Sequence, residues 1–244
     1  MNELAALRRE GAKSSKATPG AADFLRETYL ESEAHGRVVL RELAQRLGVS
    51  APAISRMAQR LVQKGYLKRE GACGLELHES GRRVALKSLR KTRIFEVYLV
   101  QELGYSWDQV FPLAVSSSHH LDDELIERMW IKLNKPLRCP HGDAIPTRDG
   151  HMEQIESVRL SDATAGTQGT LSHVASHDPE LLRYLTTLGL LPGLPIQIVS
   201  RAPFGGPIRV RVQVGDAPKK FENEHVIGKE LAGVINISIA PGKS

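Results

Sequence analysis

Apolar residues in the segment 39–77 recur at the spacing of two short amphipathic helices joined by a tight turn at residues 47–50. The apolar face of the first helix consists of Leu40, Leu43, Ala44 and Leu47. The second helix repeats this spacing with Ile54, Met57, Ala58 and Leu61. Ser50 can cap the second helix, and Pro52 fits its first turn, where a missing backbone N–H is harmless. The pattern predicts a helix-turn-helix.

The outer face of the second helix begins with small residues and continues with polar and basic ones. Its members are Ser50, Ala51, Ala53, Ser55, Arg56, Gln59 and Arg60. A helix that enters the major groove needs little bulk near the phosphates and hydrogen-bonding side chains at the base edges. Residues 66–77 then predict a hairpin wing with Lys68 and Arg69 on its first strand. An ordinary helical pair has the same apolar spacing, but the basic wing favours DNA binding.

Further helices are predicted on both sides of this segment. One follows Pro19, and a long one runs from Gly81 to about Gly104. The second half of the long helix is too apolar for a single stripe facing one core, which predicts a self-association surface; a monomeric bundle is the alternative. Shorter helices start near Ser106 and after Asp122.

The pattern changes after a stretch rich in proline and glycine at residues 134–158. Short apolar strands then alternate with glycine turns, and the run 208–214 alternates apolar and polar residues as a half-buried strand does. One amphipathic helix, residues 179–188, interrupts the strands. The predicted fold is mainly α with a C-terminal small β-barrel.

Charge separates the two halves of the 244-residue chain. Residues 1–95 hold 19 Lys and Arg against 10 Asp and Glu, whereas residues 96–244 hold 14 against 18. A basic first half suits a nucleic-acid reader joined to another domain. Two cysteines, Cys73 and Cys139, are too few for a disulfide framework or a cysteine zinc site. Without an export signal or an apolar run of about 20 residues, we expect a cytoplasmic protein with no membrane partner.

Several separated blocks resemble one family. The winged segment, the helices at residues 94–130 and the turn CPHGDAIP at residues 139–146 are similar to the DtxR/MntR family of metal-dependent transcriptional repressors. The segments HDPELLRYLTTLGLLPG and RAPFGGPI resemble that family's FeoA-like, SH3-like barrel. The resemblance implies a non-enzymatic homodimer that binds a palindromic double-stranded DNA operator when loaded with Mn(2+) or Fe(2+), repressing manganese or iron homeostasis genes.

With the resemblance, the expected domains follow the chain in order. We expect a flexible arm at 1–18, a winged helix-turn-helix DNA-binding domain at 19–90, a helical dimerisation and metal-sensing domain at 91–146, a linker at 147–158 and the FeoA-like barrel at 159–240. The residues expected to contact DNA are Arg41, Ser50, Pro52, Ala53, Ser55, Arg56, Arg60, Lys68 and Arg69. Arg56 is expected at base edges, and Lys68 and Arg69 at the phosphate backbone.

The metal ligands carry over from the family only in part. The matching positions are Asp23, Glu96 and His119, with His120 beside them. Four positions depart from the family's ligands: Thr92, Phe111, Val115 and Ser118. Two interpretations stay open. Either the site is rebuilt with neighbours such as Glu27, His120 or Asp122, or it is degenerate and the regulator is constitutive or responds to a non-metal signal.

Other groups receive structural or minor roles. We interpret His141 and Asp143 as structural parts of a turn. Asp178 and Glu180 are candidates to reach the metal from the barrel, although Asp178 followed by Pro179 is equally typical of a helix cap. An enzyme is disfavoured because the sequence has no HExxH motif, glycine-rich phosphate loop or nucleophile elbow. A role as a non-DNA adaptor that docks partners through the barrel is disfavoured by the basic wing.

Overall fold

The computed structural model describes residues 19–70, 74–154, 156–212 and 223–239. The predicted arm at 1–18 and the tip of the wing at 71–73 lie outside these ranges. The chain divides into two compact units. The first comprises Met1–Thr92, Ser117–Arg128 and Pro146–Met152, and the second comprises Arg93–Ser116, Met129–Ile145 and Glu153–Ser244.

The helical part follows the predicted order closely. Its elements are α1 (Pro19–His35), α2 (Leu40–Arg46), α3 (Ala51–Gln63), β1 (Leu67–Glu70), β2 (Gly74–Leu77), α4 (Glu79–Leu103), α5 (Trp107–Ser118) and α6 (Asp123–Lys132). The two wing strands pair antiparallel, with Leu67 opposite Leu77. None of the described helices combines the length and apolarity that crossing a membrane requires. The winged helix-turn-helix is therefore present where the periodicity predicts it.

One apolar core in the first unit supports α2 and α3, the two helices of the helix-turn-helix, which are called the reader helices below. Leu43 of α2 and Ile54 and Leu61 of α3 are buried, together with Phe24 and Leu25 of α1. Ser50 occupies the N-cap position of α3 with extended backbone, but its side chain makes no capping hydrogen bond. The predicted cap is thus correct in position and wrong in its hydrogen bond, which leaves the exposed hydroxyl of Ser50 available for other partners.

The second unit contains a six-stranded antiparallel sheet. Its strands are β3 (Val158–Arg159), β4 (Gln168–Val174), β5 (Pro195–Arg201), β6 (Ile208–Val212), β7 (Asn223–Ile227) and β8 (Ile235–Ser238), in the spatial order β3-β8-β4-β5-β6-β7. Alternate residues of β6 are buried, as the sequence pattern requires. Helices α7 (Pro179–Thr187) and α8 (Lys229–Val234) complete this part, and Leu182 and Leu185 of α7 enter its core.

Two helix details differ in their agreement with the sequence. Asp122 caps α6, because its side chain accepts a hydrogen bond of 2.8 Å from the backbone N–H of Glu124. On α6, Leu125 is exposed, whereas its neighbour Ile126 is buried. The second half of α4 is largely buried within the chain: Ile94, Val97 and Leu99 are covered and Leu103 is exposed.

A glycine brings the turn at residues 139–146 against strand β4. Gly142 has φ +92, and a Cβ at this position would lie 2.0 Å from the backbone oxygen of Ser172. The backbone N–H of Val174 donates to the oxygen of His141 at 2.9 Å. Only glycine fits both the left-handed backbone and the close approach. The turn is therefore fixed on β4, which determines where Cys139 and His141 point.

Candidate DNA interface and metal centre

The outer surface of α2 and α3 presents nearly all the side chains that were expected at DNA. Arg41, Ser50, Pro52, Ser55, Arg56 and Arg60 are exposed, and Ala53 is half-buried. Among the described residues, the guanidinium groups of Arg56 and Arg60 form no hydrogen bond or ion pair. Exposed arginines on the outer face of a second helix can reach base edges and phosphates.

The wing adds two exposed basic residues, Lys68 and Arg69, on strand β1. The ammonium of Lys68 lies 2.8 Å from a carboxylate oxygen of Glu76 on the opposite strand. This pair is solvent-exposed on both sides and is easily exchanged for a phosphate contact, because exposed ion pairs contribute little stability. Arg69 extends the same basic edge.

Two of the expected metal ligands meet in the first unit. Nε2 of His119 lies 2.8 Å from Oδ1 of Asp23, so helix α1 is joined to the segment that follows α5. The same Asp23 oxygen accepts a hydrogen bond of 2.7 Å from the guanidinium of Arg26. Close by in sequence, Glu27 is also bound to Arg26, at 3.2 Å. The Asp23 carboxylate therefore already has two cationic or polar partners.

Two of the four positions that depart from the family's ligands form a neutral contact with each other. Thr92 and Ser118 are buried, and their hydroxyl oxygens are 3.1 Å apart. Ser118 stands one residue before His119, so this hydroxyl pair lies beside the Asp23–His119 contact along the chain. His120 is exposed and Asp122 caps α6. The described neighbours proposed for a rebuilt site are thus engaged or turned outward.

Glu96 belongs to a different cluster, which lies in the second unit. Glu96, Cys139 and His141 are all buried, and their potential ligand atoms lie within 4.8 Å of one another. Nδ1 of His141 is 3.6 Å from a carboxylate oxygen of Glu96, too far for a hydrogen bond. Among the residues that the structure describes, this is the group of three or more His, Cys, Asp or Glu side chains with metal-ligand proximity.

The buried polar groups of this cluster are incompletely satisfied. The side chain of His141 is fully buried, and neither of its ring nitrogens has a hydrogen-bond partner among the described residues. Cys139 is a free cysteine whose Sγ contacts Oδ2 of Asp143 at 3.9 Å. Buried polar atoms without partners are uncommon, and a bound ion or ligand is one way to satisfy them.

Burial and charge both act on the titrating groups of the turn. Burial raises the pKa of the Cys139 thiol well above its ordinary value, and the carboxylates of Glu96 and Asp143 raise it further. Burial also acts to raise the pKa of Asp143, but the positive charge of Arg93 and the nearby histidines outweigh it and lower that pKa. A cation placed among these groups would favour the thiolate.

Aromatic rings surround His141. The ring of Trp107 lies 5.6 Å from it, and Nε1 of Trp107 donates to the hydroxyl of Thr186 at 2.8 Å. The ring of His177 is edge-on to His141 with 4.9 Å between centroids, and it stacks on Phe111 at 3.5 Å. Phe111, which replaces a histidine of the family, therefore supports the ring of another histidine. The buried ring of His141 is therefore packed against two aromatic rings.

The comparisons with known proteins match these parts in order. Residues 18–73 match the MarR family, residues 78–147 match the family described as "Iron dependent repressor, metal binding and dimerisation domain", and residues 158–238 match the FeoA domain. The iron-dependent repressor IdeR of Mycobacterium tuberculosis is 30% identical over 196 residues, which cover 75% of this chain and 84% of that protein. The chain belongs to the DtxR/MntR family of metal-dependent transcriptional repressors.

Solved structures agree with this assignment. A manganese-dependent transcriptional repressor in complex with manganese is 32% identical, with a TM-score of 0.82 over 90% of this chain and 100% of that one. ScaR with bound zinc is 26% identical, with a TM-score of 0.73 over 90% of this chain and 99% of that one. The predicted fold class, DNA and homodimer partners and non-enzymatic character of this DtxR/MntR-family chain are confirmed.

Sequence reasoning misses Cys139 and His141 of the turn as ligand candidates. His141 was interpreted as structural, because a turn needs short polar residues in any case. The signal that could have identified them is the pairing of a thiol and an imidazole two residues apart, followed by a glycine, in a chain with few cysteines. Asp178, in contrast, is a cap: its Oδ1 accepts from the backbone N–H of Glu180 at 2.8 Å.

Proposed function

We propose that this chain is a metal-responsive repressor of iron or manganese homeostasis genes that binds a palindromic operator as a homodimer. We further propose that its regulatory ion is held by Glu96, Cys139 and His141. The observation that carries this proposal is the proximity of three buried ligand atoms, one from each residue. Neither ring nitrogen of His141 has a hydrogen-bond partner among the described residues.

The donor set fits a divalent transition metal. A carboxylate, a thiol and an imidazole together offer the oxygen, sulfur and nitrogen ligands of Fe(II) or Zn(II) sites, whereas Mn(II) prefers oxygen and imidazole. His177 is the proposed fourth ligand, supported by its ring lying 4.9 Å from that of His141. We therefore propose Fe(II) in preference to Mn(II). When bound, the ion supplies a positive charge that compensates the Glu96 carboxylate and a Cys139 thiolate.

The location of the ligands suggests how the ion acts on the protein. Glu96 lies on helix α4, and Cys139 and His141 lie on the turn that Gly142 fixes against β4. An ion that binds all three stabilises the arrangement in which helix and turn are close. Helix α4 also carries Leu86 and Leu89, which pack in the core beneath the reader helices. The conformation of α4 is thus the proposed connection between metal and DNA.

The proposed DNA contacts use the exposed face already described. Arg56 reads a base edge; Arg41, Ser50, Pro52, Ala53, Ser55 and Arg60 lie against sugar and phosphate; and Lys68 and Arg69 contact the flanking backbone. The support is the exposure of these residues apart from the half-buried Ala53, and the positive charge of the arginines and Lys68. The Ser50 hydroxyl, which makes no capping hydrogen bond, adds to it. The proposed homodimer buries the exposed apolar residues Leu103, Tyr105 and Leu113. In the cell the repressor acts in the cytoplasm.

Operator binding tests the regulatory role. An operator selected from random DNA is titrated by fluorescence anisotropy with EDTA-treated protein and with Fe(II)-, Mn(II)- or Zn(II)-loaded protein under anaerobic conditions. We expect metal to tighten binding by at least about tenfold, a typical coupling between two sites. Cys139→Ser should abolish that gain, and Cys73→Ser is the matched thiol control. Equal affinity of the EDTA-treated and loaded forms would reject metal activation.

The groove assignment has its own test. Arg56→Ala should weaken binding to the selected operator by about 1 to 3 kcal/mol, whereas Lys68→Ala should mainly reduce the salt dependence. Arg211→Ala, which removes an exposed arginine from the sheet of the second unit, is the control. Dimerisation, measured by light scattering, should stay unchanged in all three variants. Unaltered operator affinity of Arg56→Ala would remove Arg56 from the interface.

A further inference from the structure

Helix α1 carries three carboxylates on one side. Asp23, Glu27 and Glu31 are four residues apart, so they form a single stripe along the helix. Glu27 and Glu31 are buried, and the Glu31 side chain is only 1% exposed. Three acidic side chains in such surroundings require cations close to them.

The cations come from the chain itself. Arg26 is buried and binds both Asp23, at 2.7 Å, and Glu27, at 3.2 Å. Arg46, the last residue of α2, lies 3.9 Å from Glu27 and 2.6 Å from Glu31. At the other end of α1, His119 contacts Asp23. The contacts form a continuous row from His119 through α1 to the end of the first helix of the reader pair.

The donor groups around Asp23 do not fit a metal ion. Thr92 and Ser118 stand at positions where the family resemblance would place further ligands, and both carry hydroxyl side chains. Thr92 and Ser118 are hydrogen-bonded to each other. The Asp23 oxygen nearest His119 is already the acceptor of the Arg26 guanidinium. Hydroxyl groups of this kind are poor substitutes for carboxylate and imidazole ligands.

We propose that the guanidinium of Arg26 permanently supplies the positive charge at this position. The two helices of the helix-turn-helix, α2 and α3, are then joined to α1 without a metal ion. The planar guanidinium binds two carboxylates at once, which a hydrated divalent ion would otherwise have to do. Through Glu27 and Arg46 the same row of charges holds α2 in place. Metal then acts at Glu96, Cys139 and His141 alone, and this part of the inference rests on the proposed function.

Metal counting separates the two claims. Protein dialysed against Mn(II) or Fe(II) is analysed for bound metal per chain, with Asp23→Asn, His119→Gln and Cys139→Ser as variants. We expect Asp23→Asn and His119→Gln to bind the same amount as the unaltered chain and Cys139→Ser to lose at least half of it. Loss of metal from Asp23→Asn or His119→Gln would overturn the inference. Full retention in Cys139→Ser would instead overturn the proposed metal site.

Amide hydrogen exchange of α1 provides a readout that does not depend on the regulatory site. In EDTA and in excess Mn(II), the unaltered chain should show protection of α1 that agrees within about twofold, since Arg26 is always present. Arg26→Met should reduce that protection at least tenfold, and Arg26→Lys, which keeps the charge and loses the fork, should fall between the two. Arg82→Met, which removes a second arginine that contacts α1, is the control.

The outcomes of this experiment are exclusive. Tenfold higher protection of α1 in metal, lost in Asp23→Asn, would show that a metal holds the position and would overturn the inference. Equal protection in Arg26→Met and the unaltered chain would also overturn it. If Arg26→Met does not fold, the same comparison is made with Arg26→Lys, for which reduced protection in EDTA supports the inference and unchanged protection overturns it.

Discussion

Two places where described residues combine carboxylate and histidine side chains, around Asp23 and around Glu96, differ in whether their polar groups are already paired. Around Asp23, the carboxylate is bound by Arg26 and His119, and Thr92 and Ser118 satisfy each other. Around Glu96, the buried imidazole of His141 lacks hydrogen-bond partners among the described residues. Both places contain ligand-type residues, so residue identity alone does not distinguish them. A buried imidazole without hydrogen-bond partners, close to a thiol and a carboxylate, is the arrangement that a bound ion would satisfy.

The energetic consequences follow from that difference. Around Asp23, ions are desolvated but paired, so removing one partner leaves a buried charge that costs about 3 to 5 kcal/mol. Around Glu96, unpaired polar atoms cost about 1 to 3 kcal/mol each in the absence of an ion. A metal bound there would recover this cost and add the ligation energy, which would stabilise the metal-bound conformation. In the proposed function, the first place stabilises the fold at all times and the second responds to metal.

The largest expected effect is the loss of the turn that holds Cys139 and His141. Gly142→Ala combines a left-handed backbone with a clash against the Ser172 oxygen, so we expect a loss of about 3 to 4 kcal/mol in the free energy of unfolding. Bound metal should fall with it, whereas the reader helices keep their structure. Denaturant unfolding and metal analysis measure the two effects. A Gly142→Ala protein with unaltered stability would contradict the described turn.

Removing Arg46 should have the next largest effect, and in the first unit. Arg46→Ala leaves the buried carboxylate of Glu31 without its cation, and we expect destabilisation of about 2 kcal/mol. The value lies below that of a fully buried pair because Arg46 is about half exposed and screened by solvent. Glu31→Gln in the same chain should restore most of the loss. Additive effects of the two substitutions would show that the pair is not coupled.

A smaller effect is expected for Asp108, which lies in the second unit. A hydrogen bond from Ser106 lowers the pKa of Asp108 below its ordinary value, and Arg183 at 3.1 Å contributes in the same direction against the effect of burial. Because the folded pKa is the lower one, the stability from Asp108 is complete above about pH 4 and is lost as pH falls through the folded pKa. Asp108→Asn should cost about 1 kcal/mol at pH 7, since Arg183 is exposed. The difference from the unaltered chain should shrink below about pH 4; a constant difference from pH 7 to pH 2.5 would contradict this origin.

Much of the fold was predictable because its signals are local. Apolar spacing predicts α2, α3 and α7, and Asp178 followed by Pro179 is typical of a cap. On α6, Leu125 and Ile126 are adjacent apolar residues, and only tertiary packing selects Ile126 for the core. The role of Ser50 was overestimated because sequence identifies a cap position without showing whether its hydroxyl is used.

The candidate metal centre was less predictable because it depends on contacts between distant segments. Glu96 matches a ligand position of the family, but the partners that surround it, Cys139 and His141, come more than forty residues later in the chain. Arg26 gives no signal in the sequence, because arginine side chains are mostly exposed unless they are paired. Its burial between two carboxylates appears only in the folded structure.

Cobalt substitution tests most directly where the ion binds. In a Cys73→Ser chain, Cys139 is the remaining cysteine, so Co(II) bound at Glu96, Cys139 and His141 should give an intense thiolate-to-cobalt charge-transfer absorption. We predict that this absorption saturates at one Co(II) per chain, persists in Asp23→Asn and disappears in Cys139→Ser. Absorption that lacks a thiolate band, or that disappears in Asp23→Asn, would contradict the assignment of the regulatory ion to this cluster.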